Sequence, residues 1–397
     1  MKLEEVKLKD ISINNRGYYG IGASAVAYDE NKYTYLRITD INNDGTLNAA
    51  DLMSVDDKNA RDFLLQKNDI VFARTGASTG RNYFYDGEIN NMVFAGFLIK
   101  FSLDEEKVNP KFIKYYCLSQ KYRNWIASSL TGSTRPNINE RQLAEMPITI
   151  PNRDYQDKIV KILDAITKKV RLNNQINDNL HDLAEQQFIK IYNSGNEKTL
   201  GDLLDNVSTG SRPKGGAQST GIPSVGAEKI EKFGVYDYSS EKYISQDFYE
   251  KLKNGKMKSG DVLLYKDGAY TGKVSMCLNG FPHKESAVNE HVFILNTKDN
   301  WAQNYLYFTI YNKENKEMLE RLASSKAAQP GLNQSELRSL KIKICDKETI
   351  ENFEANVKPI MENIANNSLE NKKLVELRDT LLPKLMNGEI DLDKIEI

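Results

Sequence analysis

Along two stretches of the chain, apolar residues recur every three or four positions. In the first, Ile159, Leu163, Ile166, Val170, Asn173, Ile176, Leu180 and Leu183 form one stripe. In the second, Phe353, Val357, Ile360, Ile364, Asn367, Asn371, Leu374, Leu377 and Leu381 do the same. A spacing near 3.5 is that of a coiled-coil seam. It predicts one long helix in residues 152–193 and another in 346–397, each a rod of roughly 50 Å at 1.5 Å per residue. Both stripes turn polar in the middle, where Asn173 and Asn177 align with Asn367 and Asn371. A buried Asn costs stability and pins register. The matched Asn positions favour two helices that pair with each other over two that lie on separate domains. The expected seam contains Ile159, Ile166, Val170, Asn173, Leu180, Phe353, Ile360, Ile364, Asn367 and Leu374.

Ahead of each rod the pattern changes. Aromatic and β-branched runs are broken by Gly, Asn and Asp, which predicts strands. KYTYLRI, DIVFAR, NYFYDG and VFAGFLIKF are the first set, and DVLLYK, KVSMCL and HVFILN the second. A short helix should follow each set, over PKFIKYYCLSQKYRNWIASSL and over NWAQNYLYFTIYNKENKEMLERLA.

The two sets are copies. LQKNDIVFARTGASTGR (65–81) aligns without a gap with MKSGDVLLYKDGAYTGK (257–273), so Asp69 meets Asp261, Gly76 meets Gly268 and Thr79 meets Thr271. RPNINERQLAEMPITI (135–150) aligns with QPGLNQSELRSLKIKI (329–344). So long a period means duplicated domains and not a solenoid. The expected architecture is α+β. A mostly β domain spans 1–151, a long helix 152–193, a second domain 194–345, and a second helix with the tail 346–397. The two helices pair as an antiparallel coiled coil.

Composition narrows the class. Hydrophobic residues make up 40% and charged residues 27%, an ordinary soluble balance. No apolar run approaches the roughly 18 residues of a membrane span, and MKLEEVKLKD lacks a signal peptide's apolar core, so a cytoplasmic protein is expected. Cys117, Cys277 and Cys345 stand far apart and outside any metal-ligand spacing, as core thiols do. His181, His283 and His291 form no ligand or triad pattern and read as structural. The net charge is −1, so any nucleic-acid surface must be a local patch.

Several motif mimics fail on inspection. DINNDGTLNAAD (40–51) has the Asp, Asn and Gly spacing of a calcium loop. The second copy keeps only the turn: Gly234 falls at Gly45, but Lys229 falls at Asp40 and Phe233 at Asp44. A polar turn between strands is the plainer reading. GIGASA (20–25) follows no buried strand and opens no helix, as a dinucleotide fingerprint must. GAYTGKV (268–274) is one residue short of a phosphate loop, with Val274 where Ser or Thr would hold magnesium. No methyltransferase motif, nuclease cluster or catalytic triad is visible. The expectation is a reader or scaffold with neither catalytic nor metal-binding residues.

Sequence-specific DNA binding needs Arg, Lys, Asn, Gln, Ser, Thr and Tyr on loops beside Gly. The first copy offers Tyr18, Tyr19, Arg74, Thr75, Ser78, Thr79, Arg81 and Arg135. The second offers Thr209, Ser211, Arg212, Lys214, Lys266, Tyr270, Thr271, Lys273, Lys326 and Gln329.

Over essentially its whole length the chain resembles the specificity subunit of type I restriction–modification enzymes. GYYGIGASAVAYDENKYTYLRITDINNDG (17–45) looks like the start of one class of target recognition domain. VSTGSRPKGGAQSTGIPSVGAEKI (207–230) is similar to another class, with Arg212 where Thr is common and Ser224 where Trp is common. RPNINERQLAEMPITIPNRDYQDKIVKIL (135–163) and LRDTLLPKLMNGEI (377–390) resemble the family's domain-to-helix junction and its ending. The resemblance implies a non-catalytic subunit that reads a bipartite, asymmetric site on double-stranded DNA, the helices acting as a ruler for the spacer. It implies two methyltransferase subunits and restriction/translocase subunits as partners, with S-adenosylmethionine, ATP and magnesium on those partners and no cofactor on this chain. The alternative is a duplicated scaffold that binds proteins or carbohydrate.

Overall fold

The computed structural model describes the chain except residues 1–2, 49–50, 131–135, 269, 325–330 and 395–397. Two compact units emerge: Met1–Thr167 with Glu376–Ile397, and Lys168–Val375. Among the described residues no helix is long and apolar enough to cross a membrane.

Among its described residues the first unit holds ten strands. A four-stranded antiparallel sheet runs β2 (Tyr18–Tyr19), β9 (Leu98–Ser102), β6 (Asp69–Ala73), β7 (Asn82–Tyr85). A second sheet runs β3 (Ala25–Val26), β5 (Met53–Val55), β4 (Tyr33–Leu36), β8 (Met92–Phe94), with β4 and β8 parallel. β1 (Leu3–Lys7) and β10 (Pro147–Pro151) pair antiparallel. The predicted strand VFAGFLIKF is in fact two. Ala95 donates to Leu36 of one sheet, Gly96 donates to the Ile21 carbonyl, and the chain then crosses into the other sheet. One apolar run thus feeds both sheets, which periodicity alone cannot reveal.

The predicted helix after the sheets also splits, into α1 (Pro110–Tyr116) and α2 (Gln120–Ser129). The Ser119 side chain accepts from the Tyr122 amide at 3.3 Å, so Ser119 caps a new helix where the run looked continuous. α3 (Glu140–Ala144) begins on Asn139 with a reciprocal capping box. α4 (Arg153–Tyr192) is one helix of 40 residues.

The second unit repeats the plan. Its four-stranded sheet runs β12 (Asn206–Thr209), β18 (Val292–Asn296), β15 (Val262–Tyr265), β16 (Val274–Met276), matching the first unit strand for strand. β14 (Tyr243–Ile244), β13 (Ile222–Val225) and β17 (Ala287–Val288) match the β5, β4 and β8 part of the other sheet, again with the last pair parallel. β11 (Asn196–Thr199) pairs with β19 (Lys341–Ile344). A short helix, α5 (Gln246–Lys251), precedes β15. The helical segment splits here too, into α6 (Gln303–Tyr311) and α7 (Lys313–Ser324), because the Asn312 side chain accepts from the Glu314 and Asn315 amides. α8 (Gln334–Ser339) repeats α3 with an Asn333 capping box, and α9 (Lys347–Met386) is the second 40-residue helix. The protein is α+β and internally duplicated.

Both long helices belong to both units, and within each unit they run antiparallel. In the first unit Ile159 and Leu163 share a core with Leu382, Leu385 and Met386. Tyr155 Oη and Lys158 Nζ both reach the Asp393 carboxylate, at 2.8 and 2.6 Å. In the second unit Asn173 Nδ2 donates to Glu370 Oε2 (2.7 Å) and Asn371 Oδ1 (2.9 Å), while Asn177 meets Asn367 at 2.9 Å and Ser368 at 3.1 Å. The Asn positions read from the sequence therefore join the two helices. The seam drifts, however. Ile176 and Leu183, assigned to it, are 46% and 47% exposed, and Leu377 is 46% exposed. The buried face of α4 in the second unit is instead Asn173, Asn177, His181, Ala184 and Phe188. α6 explains the shift: Tyr307, Phe308 and Tyr311 crowd the His181 ring at centroid distances of 5.8, 5.4 and 4.7 Å. Ile159, Phe353 and Ile364 are buried, while Ile166, Val170, Leu180, Ile360, Asn367 and Leu374 are half-buried.

Cys117, Cys277 and Cys345 are buried and unpaired, and burial raises the first two thiols. The calcium-like turn holds itself together. Asp40 is buried and takes Arg37 Nε at 3.0 Å and Nη2 at 2.6 Å, while Asp44 accepts from Thr46. The second copy solves the same turn with opposite charge, Lys229 Nζ lying 3.0 Å from Asp237 Oδ2.

Candidate nucleic-acid interface

The aligned loop that carries most candidates is a hairpin turn built twice to one plan. Thr79 donates to the Gly76 carbonyl at 2.7 Å, and Thr271 to the Gly268 carbonyl at 2.8 Å. Gly80 and Gly272 donate to Ala73 and Tyr265 across the hairpin, and Gly76, Gly80, Gly268 and Gly272 all have positive φ. The repeated aspartates are structural as well. Asp69 accepts from the Gln66 amide and Asp261 from the Lys258 amide, each at 2.7 Å. Thr79 and Thr271, read as DNA-binding candidates, are therefore turned onto their own backbone. Arg81 and Lys273 are tied down too. Arg81 Nη1 donates to the Ile41 carbonyl at 3.0 Å, and Lys273 pairs with Glu231 while lying 4.8 Å from the Tyr270 ring centroid. Each cation staples its hairpin to the turn of the other sheet. Thr209 Oγ1 is likewise bonded to the Glu290 and Val292 carbonyls. In Thr79, Thr271, Arg81 and Lys273 the shared pattern reflects a shared fold.

What remains forms a rim at the end of each four-stranded sheet. In the first unit Arg74 follows β6. Its amide donates to Phe97 at 3.0 Å, its carbonyl accepts from Ile138 at 2.9 Å, and its guanidinium lies 5.1 Å from the Tyr19 ring centroid. The Tyr19 hydroxyl accepts from the Glu140 amide at 3.2 Å, and Glu140 Oε1 accepts from the Gly17 amide at 2.9 Å. Tyr18 carries Arg16 over its ring at 4.5 Å. Thr75 bridges to Asn137, and Phe97 is 59% exposed. Tyr18, Tyr19, Arg74 and Thr75 thus come together, while Ser78 sits at the hairpin tip.

The second unit puts Lys266 at the Arg74 position, with the same backbone bonds, to His291 and Leu332. Its surroundings are ionic. Lys266 Nζ contacts Asp267 Oδ2 at 2.6 Å, His291 Nδ1 contacts the same oxygen at 2.9 Å, and His291 Nε2 lies 3.4 Å from Glu290 Oε1. Arg212 Nε reaches that Glu290 oxygen at 3.4 Å. His291, read as structural, is a rim residue. Ser211 and Lys214 are exposed on the loop after β12, and Tyr270 is 61% exposed. A groove of about 610 Å³ beside this hairpin is lined by Glu317, Glu320 and Arg321 among others. Arg135, Lys326 and Gln329 lie outside the described residues.

Sequence reasoning missed Arg16, Phe97, Asp267, Glu290 and His291. Basic and hydroxyl residues were sought, so acids and an exposed Phe on the same rim went unnoticed. Alignment of Phe97 with His291 was the available signal. Away from the rims, His181, Asp182 and Glu185 bring ligand-type atoms within 4.8 Å of one another along α4, and His181 Nε2 is bonded to Tyr307 Oη at 2.9 Å.

Residues 2–182 match the family described as type I restriction modification DNA specificity domain. Over that part the chain is similar to the DNA specificity domain of type I restriction–modification systems. The specificity subunit of the HindI type I restriction enzyme from Haemophilus influenzae is 25% identical over 404 residues, covering 82% of this chain and 87% of that protein. The MjaIX specificity subunit from Methanocaldococcus jannaschii is 24% identical, covering 74% and 72%. The crystal structure of the type I restriction–modification S subunit from M. genitalium has the same fold, with a TM-score of 0.57 at 16% identity and coverage of 97% and 96%. The rims carry the outward-facing chemistry of the two units. Both combine aromatic, cationic and loop backbone groups of the kind that positions phosphates and reads base edges.

Proposed function

We propose that this specificity subunit reads a split, asymmetric double-stranded DNA site, one half with each compact unit. The observation that carries the reading is a four-stranded sheet repeated strand for strand beneath rims of unlike chemistry. Equal frames give equal ways of docking on DNA. Unlike rims give unlike half-sites. Contacts come from Tyr18, Tyr19, Arg74 and Thr75 in one unit and from Ser211, Arg212, Lys214, Lys266 and Tyr270 in the other.

The subunit itself supplies no chemistry. Two methyltransferase subunits, which hold S-adenosylmethionine, and restriction/translocase subunits, which use ATP and magnesium, act where it directs them in the cytoplasm. α4 and α9, with 40 residues each, set the length of the unread spacer. The outward stripe Leu172, Ile176 and Leu183 on α4, each more than 40% exposed, offers a partner helix an apolar seam.

The test is a methylome. The full chain is expressed with its methyltransferase subunit in an unmethylated host, and modified adenines are mapped. A split asymmetric motif methylated on both strands is expected. A stable complex that adds no methylation overturns the reading and leaves a scaffold that binds proteins or carbohydrate.

A further inference from the structure

We infer that Arg74 reads a guanine in the half-site bound by the first unit, and that Tyr19 holds it in the pose for doing so. The inference rests on the DNA-reading function proposed above. Arg74 is fixed at three points. Its backbone is bonded on one side to Phe97 and on the other to Ile138, and its guanidinium lies over Tyr19. Tyr19 is itself held at the hydroxyl by the first amide of α3. Nε is buried and has no hydrogen-bond partner. No group among the described residues takes a hydrogen bond or ion pair from this half-buried side chain, so its two terminal amino groups keep their donors for a ligand. A planar fork of two donors, pre-oriented on an aromatic face beside an exposed Phe97, matches the O6 and N7 acceptors of guanine in the major groove.

The second unit shows what Arg74 escapes. At the aligned position Lys266 is a point charge bonded to Asp267, and Thr209 replaces Tyr19, so nothing aromatic comes from that strand. Lys266 lies instead 5.5 Å from the Phe293 ring centroid. A lysine so neutralised cannot make the two-pronged contact. At this position the two-pronged reader therefore belongs to the first unit alone.

The experiment compares methylomes of the complexes containing the wild-type chain, Arg74→Lys and Arg74→Gln. Arg74→Lys keeps charge and stem but loses the fork, and the half-site read by the second unit serves as an internal control for folding. The expected result is a guanine in one half-site of the wild-type motif. Both variants lose about ten- to a hundred-fold of the preference for it and leave the other half-site unchanged. Tyr19→Ala should weaken the same position by less. An unchanged motif with uniformly weaker methylation means a phosphate contact and overturns the inference. So does a half-site that holds no guanine. If the wild-type complex methylates no split motif, the DNA-reading function itself has failed, and the inference fails with it.

Discussion

The rims of the two units differ more than the frames beneath them. In the first, the cation Arg74 lies on a tyrosine, with no ion pair to a carboxylate among the described residues. In the second, Lys266, His291 and Arg212 are threaded between Asp267 and Glu290. The strand order of the four-stranded sheets, the hairpin geometry and the turn-capping aspartates are the same in both. Duplication preserved whatever packs the sheets and released whatever faces outward. The lesson is one of signal. Residues alike in both copies report on folding, and residues unlike at aligned outward positions are where recognition is to be sought.

The largest effects should come from breaking the shared frame. A Cβ on Gly20 would lie 2.2 Å from the Phe94 carbonyl oxygen, and one on Gly210 would lie 1.6 Å from that of Val288. Both contacts are with backbone, which cannot swing aside. Gly20→Ala and Gly210→Ala should each destabilise by about 3 kcal/mol or more, Gly210→Ala the more severely. Gly22→Ala meets nothing within 4 Å and should be nearly neutral. Thermal unfolding of the three variants checks the order. Equal, small shifts would mean the two close approaches are not the shared constraint they look to be.

Exchanging the rims should give intermediate effects of opposite sign. Thr75→Asp places a carboxylate where Asp267 stands in the other unit. It should pair with Arg74, repel phosphate, and lower DNA affinity about tenfold, roughly 1.4 kcal/mol. Asp267→Thr releases Lys266 and should raise affinity a few-fold, with a steeper dependence on salt. Titration of the assembled complex against DNA at two salt concentrations reads both. Movement of both variants in the same direction would break the contrast between an open and a neutralised cation.

Much of the fold was legible because it rests on period and repetition. The two helices announce themselves through spacing, the duplication through Asp69 and Asp261, and the helix partnership through Asn173, Asn177, Asn367 and Asn371. What escaped depends on contacts distant in sequence. Nothing local says that the run through Ala95 changes sheets, or that α6 turns Ile176 and Leu183 outward. The candidate surface was half legible. Tyr19, Arg74 and Lys266 lie on the rims, but Thr79, Arg81, Thr209, Thr271 and Lys273 are bound into the frame. A Gly-flanked Thr looks the same on paper whether its hydroxyl serves a turn or a ligand.

The smallest effect concerns pH, and again it separates the units. Burial pushes the Glu354 carboxyl up to about 7, even though it accepts from the Tyr305 amide at 2.8 Å and Asn304 Nδ2 at 2.6 Å. Burial pushes His181 down to about 4. Val160 and Val375 stand at the aligned positions, so neither group has a titrating counterpart. The two signs oppose. The folded state holds the Glu354 proton more tightly than the unfolded chain, so its contribution is complete below about 4.5 and is lost as pH rises to about 7. His181 is held neutral, so its contribution is complete above about 6.5 and is lost as pH falls to about 4. Between those limits they offset, and wild-type stability should be nearly flat. Glu354→Gln should unmask the histidine, giving a stability that rises with pH from about 4 to 6.5 by on the order of 1 kcal/mol. His181→Gln should unmask the glutamate and reverse the slope. Denaturant unfolding at several pH values checks both, and slopes of the same sign in the two variants would refute the opposition.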